Sequence, residues 1–334
     1  MTKTRVATPA GRRASLIVRM SNAARETGVV PRRIHLVVAI DRLLVRLFQA
    51  APGQWVVKGG YANQLRRPDD ARFTEDLDLK IDAAIETAPE LLASGFAVDL
   101  GDDFSYEVAT SPGPLEGPPG GGLRFVVVAR LAGTELVRFK VDVSAADVVV
   151  GDVESCFSDP VLERLGFRRS RFPVYPANQH FAEKLHALTL PRDVENTRAR
   201  DLVDLVWFVR RFTFRSDELA IACIATFERR KTHPWPPVID VPPDSWTRPY
   251  GVWRAELDLA EPTPSGAAAA LRSFLVPVSF GAAGLTWEPE SQMWTRVEAM
   301  ETRPILTYPS GGPAPPRPQT RRWTWGSRGY PRPN

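Results

Sequence analysis

Asp76 and Asp78 alternate with Leu77 and Leu79 in the stretch RFTEDLDLK at 72–80. On a strand, whose side chains alternate between faces, that spacing sends both carboxylates to one side and both leucines to the other. Like charges held together repel unless a cation or proton lies between them. Two hard oxygen donors with space for water and phosphate suit Mg2+ acting on a nucleotide. Just upstream, the apolar run Trp55, Val56, Val57 breaks after Lys58 at Gly59-Gly60. Glycine lets backbone N–H groups come close to a phosphate. Together these residues predict a metal-dependent phosphoryl or nucleotidyl transfer site. Taken alone, D-x-D also suits the polar face of an ordinary surface hairpin, so other parts of the chain must corroborate it.

Three later stretches supply candidates. Leu123–Leu131 and Leu136–Val143 read as a hairpin turning at Ala132-Gly133. In its second arm Val137, Phe139, Val141 and Val143 share one face, while Arg138, Lys140 and Asp142 share the other. Asp142 is an ordinary polar-face residue unless this arm pairs with the D-x-D strand. If it does, Asp76, Asp78 and Asp142 make a three-carboxylate metal site. A helix capped by Asn178 and running through Leu188 buries Phe181, Leu185 and Leu188, with Lys184 beside that face. The next helix, over 198–211, buries Leu202, Leu205, Val206 and Val209 and presents Asp201 and Asp204 three residues apart on one face. His180 and His186 fall on different faces of their helix, and His35 and His233 have no partner at a useful spacing. No histidine metal site is expected.

Positioning these residues requires both strands and helices. The pattern predicts a short helix over 21–28 stopped by Gly28, then an amphipathic helix over 32–50. Strands follow at 55–57 and 73–81, with a helix at 62–66 whose N-terminus, beside the glycine turn, favours an anion. A helix at 83–94 is cut short by Pro89, and 104–110 is a strand. Residues 111–122 hold four Pro and five Gly and form a loop or linker. Residues 152–177 read as a linking segment. Helix 216–229 offers Leu219, Ile221, Cys223 and Ile224 as apolar surface. An irregular Pro/Trp stretch at 232–249 precedes helices at 250–259 and 267–274, then extended pieces at 276–280 and 285–288. The fold class is α+β.

The 334 residues, 43% hydrophobic and 25% charged, fit a soluble globular protein with one large or two ordinary domains. No apolar run spans a bilayer and the N-terminus lacks a signal-peptide core, so the expected location is cytoplasmic, with no membrane partner. Cys156 and Cys223 stand apart and make no disulfide scaffold or zinc motif. The net charge of +4 conceals a division: residues 1–33 carry eight Lys/Arg against Glu26, and residues 301–334 carry six Arg against Glu301. Between them, 29 basic residues face 37 acidic ones. The basic ends suit either phosphate contacts or simple solubility.

In order along the chain stand KGG (58–60), RFTEDLDL (72–79), VDV (141–143), AEKLHAL from Ala182 and R-x-R-D-L-V-D-L from Arg198. This succession resembles the AbiEii-type nucleotidyltransferases, toxins of type IV toxin-antitoxin systems whose mycobacterial relatives modify tRNA. The resemblance covers roughly residues 20–300. It implies a DNA polymerase beta-like nucleotidyltransferase domain with a mixed sheet, followed by a mostly helical C-terminal domain. On that reading 1–33 is a basic leader, 34–150 the nucleotidyltransferase core, 151–305 the helical domain closing the nucleotide cleft and 306–334 a basic Pro-rich tail.

The resemblance further implies Mg2+ on Asp76, Asp78 and Asp142, with Asp142 also placed to deprotonate the attacking hydroxyl. It makes Lys58, Gly59, Gly60, Arg72, Thr74 and Lys184 nucleotide-binding, with Arg72 and Thr74 placed either to hold phosphate or to orient the aspartates. Lys184 would meet the triphosphate, and Asp201 or Asp204 would be the required helical acid. The implied activity moves a nucleoside monophosphate from an NTP to RNA, at the tRNA 3' end, blocking translation, with a cognate antitoxin as partner. Alternatives are nucleotidylation of a small molecule or protein, or a nucleotide-binding pseudoenzyme. The chain departs from the pattern at Gly60, where serine is frequent, and at Tyr61, whose ring must turn away from the phosphates.

Overall fold

Thr8 and Gly28 bracket the first helix. Thr8 Oγ1 accepts from the Gly11 N–H, and Gly28 takes the left-handed C-cap at φ 69°, so α1 runs from Pro9 to Thr27. It starts well before the expected residue 21 because the N-cap lies at Thr8. The computed structural model describes residues 8–115, 121–145 and 149–296, all within one compact unit. The first residues of the basic leader, the middle of the Pro/Gly loop and the whole C-terminal tail lie outside the described residues.

Pro31 opens α2 (Pro31–Ala50), whose apolar stripe is almost wholly buried. Then come β1 (Trp55–Lys58), α3 (Gly59–Arg66), β2 (Asp76–Ile81) and α4 (Ala88–Phe96). Pro89 does not break α4. It sits in the first turn, where its missing N–H would have no helical partner. The sheet continues with β3 (Phe104–Val108), β4 (Gly113–Pro114), β5 (Gly122–Leu131) and β6 (Thr134–Ser144). Ala132 and Gly133, both at positive φ, make the β5–β6 turn. Residues 154–174 are more than a linker: β7 (Glu154–Phe157), α5 (Val161–Arg164) and β8 (Arg171–Val174) complete this sheet.

The strand order is β3-β5-β6-β2-β1-β8-β7, with β4 also on β5. Pairings β2–β6 and β1–β8 are parallel and the others antiparallel, so the sheet is mixed. Leu77, Leu79, Ile81, Val141 and Val143 are fully buried against α1 and α2. Each such side chain contributes about 1.5–3 kcal/mol by leaving water, which fixes the face on which the alternating carboxylates must lie.

A second hydrophobic core gathers α6 (Ala177–Thr189), α7 (Ala199–Arg211), β9 (Phe214–Arg215), α8 (Ser216–Arg230), α9 (Thr247–Glu256) and α10 (Pro264–Ser279). Strands β10 (Leu285–Glu288) and β11 (Met293–Arg296) join β9 in a small sheet. Asn178 does not cap α6. Pro176 stands at the N-cap position, and Asn178 Nδ2 donates to Glu218 Oε2 instead. On α8, Ile221 and Ile224 face solvent, while Leu219 and Cys223 are buried. Residues 276–279 belong to α10, which carries Pro277 inside it. Among the described residues no helix is long and apolar enough to cross a membrane.

Candidate active site

The register of four strands lays out the site. Lys58 on β1 is level with Asp78 on β2, Asp78 with Asp142 on β6, and Asp142 with Arg124 on β5. One row across the polar face therefore reads cation, carboxylate, carboxylate, cation. Asp76 lies one row along, level with Lys140. Burial, and next the charge of Asp142, push Asp78 up to about 6. A carboxyl that resists ionisation beside a second carboxylate is an arrangement that a divalent ion would relieve.

Among the described residues, no three His, Cys, Asp or Glu side chains converge as a preformed metal cage. On the β6 side, Arg124 Nε and Nη2 donate to Asp142 Oδ1 and Oδ2 at 2.8 and 2.6 Å. The donor chemistry nevertheless fits Mg2+, which keeps several waters and is completed by substrate phosphates.

Gly59 and Gly60 are dictated by close approach. At Gly59 (φ 63°) a Cβ would stand 1.8 Å from Asp78 Oδ2. At Gly60 it would stand 2.9 Å from both Cβ and Oγ1 of Thr74. Thr74 is thus a packing partner of the glycine turn. Tyr61 is buried in the first core, so its ring does turn away.

Arg72 was expected at phosphate, yet its fork is taken up by Asp204: Nε donates to Oδ1 at 2.7 Å and Nη2 to Oδ2 at 2.8 Å. Lys184 Nζ meets Asp204 Oδ2 at 2.7 Å and Asp201 Oδ1 at 3.1 Å. The two cations hold Asp204 well below the usual carboxylate range despite its burial. Two of the three ammonium N–H groups of Lys184 are thereby directed, and tetrahedral geometry then sets the direction of the third.

Between the sheet and α6–α8 lies a cavity of about 260 Å³. Lys58, Lys184, Arg198 and Arg230 line it together with Asp78, Asp142, Glu183 and Asp201, and Gly59 forms part of its wall. Asp76, Gly60, Arg72, Thr74 and Asp204 are not in that lining; the last three stand behind it. Arg198 and Arg230 were not candidates, and two more residues that sequence reasoning passed over, Glu183 and Arg124, contact the site's charged groups. Glu183 accepts from the Tyr175 hydroxyl at 2.6 Å and pairs with Lys58 at 3.1 Å, which pins the end of β1 to α6. Its signal was its place beside Lys184. Arg124 gave none, being one more arginine on a strand.

His180 is buried edge-on to Phe208, and burial followed by the Lys184 charge keeps it neutral. His186 and His233, expected to lack partners, lie with ring centres 4.7 Å apart beside Phe227. Burial lowers His186 to about 3, so the pair is uncharged at neutral pH.

Comparison with the curated proteins finds no match. The family described as "Nucleotidyl transferase AbiEii toxin, Type IV TA system" matches residues 42–275. Among solved structures, MenT4, a nucleotidyltransferase toxin from Mycobacterium tuberculosis H37Rv, is 20% identical at a TM-score of 0.55. That likeness covers 79% of this chain and 93% of MenT4, and it shows the fold. JHP933 from Helicobacter pylori is 15% identical at a TM-score of 0.39, covering 74% of this chain and 94% of its own.

Proposed function

The chain belongs to the AbiEii nucleotidyltransferase toxin family, and from that premise we propose that it moves a nucleoside monophosphate from an NTP to RNA, at the 3' end of tRNA. The observation that carries this reading is the level placement of Asp78 and Asp142 on parallel strands, with Lys184 facing them across the cavity. The reaction is attack of a ribose hydroxyl on the α-phosphate, with pyrophosphate leaving. Mg2+ bound at Asp76, Asp78 and Asp142 would polarise that phosphate and offset charge developing on its oxygens.

The protein's own residues do the rest. Gly59, lacking a side chain, brings the start of α3 against the phosphates, where its N–H groups and dipole favour an anion. Lys184 directs its remaining N–H toward the leaving phosphates while Asp201 and Asp204 fix its position. Asp142 accepts the proton of the attacking hydroxyl once its oxygens are available. Glu183 and Tyr175 hold Lys58 at the end of the acidic row. Residues 34–150 with β7 and β8 form the nucleotidyltransferase core, and the second core closes the cleft. An antitoxin restrains the protein in the cytoplasm, as membership in a toxin-antitoxin family implies.

The test is incubation with each of the four labelled NTPs and total tRNA in Mg2+, followed by mass analysis of the RNA. One NTP should extend tRNA by a defined mass, and Asp78→Asn and Lys184→Ala should lose incorporation by orders of magnitude. Label appearing on protein or on a small molecule instead would overturn the acceptor. Full incorporation by both variants would overturn the site.

A further inference from the structure

Arg124 is the direct cross-strand partner of Asp142, and its fork engages both carboxylate oxygens. Opposite charges facing each other across antiparallel strands are common and usually only support the sheet. Two observations set this pair apart. First, Asp142 is level with Asp78, so the guanidinium is also attracted by Asp78 and Asp76 and neutralises a cluster of acids. Second, the Arg124 side chain is 43% exposed whereas that of Asp142 is 8% exposed. The cation has open space to move into and the carboxylate does not. A bidentate guanidinium covers the same in-plane lone pairs that a divalent ion would use.

We propose that Arg124 is a tethered counter-cation that occupies Asp142 until a divalent ion displaces it. This rests on the nucleotidyl-transfer reading above. Metal binding and Arg124 release become linked, because a dication and the guanidinium repel each other and compete for the charge of one carboxylate. The ion must displace a permanent charge, so the protein alone holds metal weakly, and more tightly when the phosphates of a nucleotide add their own oxygens. In the metal-free protein Arg124 offsets the charge of Asp142 from the side away from Asp78.

The experiment titrates Mn2+ alone into the full-length protein and reads free Mn2+ by electron paramagnetic resonance. Four proteins are compared: wild type, Arg124→Gln, Arg124→Lys and Asp78→Asn. Arg124→Gln should bind Mn2+ about tenfold more tightly, the scale set by one charge-assisted bidentate contact. Arg124→Lys, which keeps the charge without the fork, should fall between that variant and wild type. It also decides the matter if the glutamine variant melts too early to titrate. Mn2+ affinity unchanged or weakened in the Arg124 variants would overturn the proposal and leave Arg124 as a residue that positions Asp142. Undiminished Mn2+ binding by Asp78→Asn would instead overturn the underlying site, whatever the Arg124 variants do.

Discussion

Arg72 and Asp204 bind each other through two hydrogen bonds although 132 residues separate them in sequence. The pair ties the loop before the acidic strand to α7, and so couples the first core to the second. Both side chains are buried. Arg72→Ala would leave the Asp204 charge to Lys184 alone, and breaking a buried pair costs about 3–5 kcal/mol. We expect a loss at the low end, about 3 kcal/mol, because Lys184 remains. Urea unfolding measures it, and a loss below about 1 kcal/mol would show that the pair does not couple the cores. Arg72→Lys should recover part of the loss, since it restores charge but not the fork.

Gly59→Ala should abolish nucleotide incorporation while the chain still folds. The new methyl would occupy the space of the Asp78 carboxylate, and the backbone would be held at a φ that favours glycine. A loss of at least about a hundredfold in kcat/KM is expected from so direct a displacement of a positioned group. Gly60→Ala meets Thr74 at 2.9 Å and should be milder, with Gly60→Ala combined with Thr74→Ser recovering activity. Equal activity of Gly59→Ala and wild type would remove the glycine turn from the site.

Asp78, raised to about 6, sets a pH dependence. An unfolded aspartate ionises near 3.9. The group therefore costs no stability while protonated in both states, costs progressively more as pH rises from about 4 to about 6, and remains at full cost above that. A divalent ion binds the ionised form and offsets the cost. MgCl2 should accordingly raise the melting temperature at pH 7.5 and have little effect at pH 5. Equal shifts at the two pH values would contradict this.

Asp41, far from the cleft on α2, gives a cleaner case of the same sign. It is fully buried, and desolvation raises it to about 7. Its ionisation costs stability as pH rises between about 4 and 7. Asp41→Asn keeps the shape without the charge, so it should stabilise the protein at pH 8 by about 4 kcal/mol and by much less at pH 4.5. Paired urea titrations at the two pH values decide it.

The periods of two and 3.6 made much of this molecule readable. Asp76, Asp78 and Asp142 fall on polar faces because the residues between them are leucine and valine, and the buried stripe of α7 was plain in its spacing. Sequence spacing carries no information about which strands neighbour each other. The β2–β6 register, and hence the Asp78–Asp142 pair, had to come from the structure. Arg72 was assigned to phosphate because a loop arginine beside an acidic strand looks the same whether it meets a ligand or an aspartate 132 residues away. The His186–His233 contact escaped notice for the same reason, as did the place of β7 and β8 in the sheet.

The cleft draws its parts from Lys58 to Arg230, and β1 needs Val174 beside Val57 before its end is fixed. During synthesis at about 5–20 residues per second, Asp78 leaves the ribosome about 8–30 seconds before Arg230. Through that interval the acidic strand exists without the opposing wall. A nascent chain therefore lacks a complete nucleotidyl-transfer site until most of it has been made.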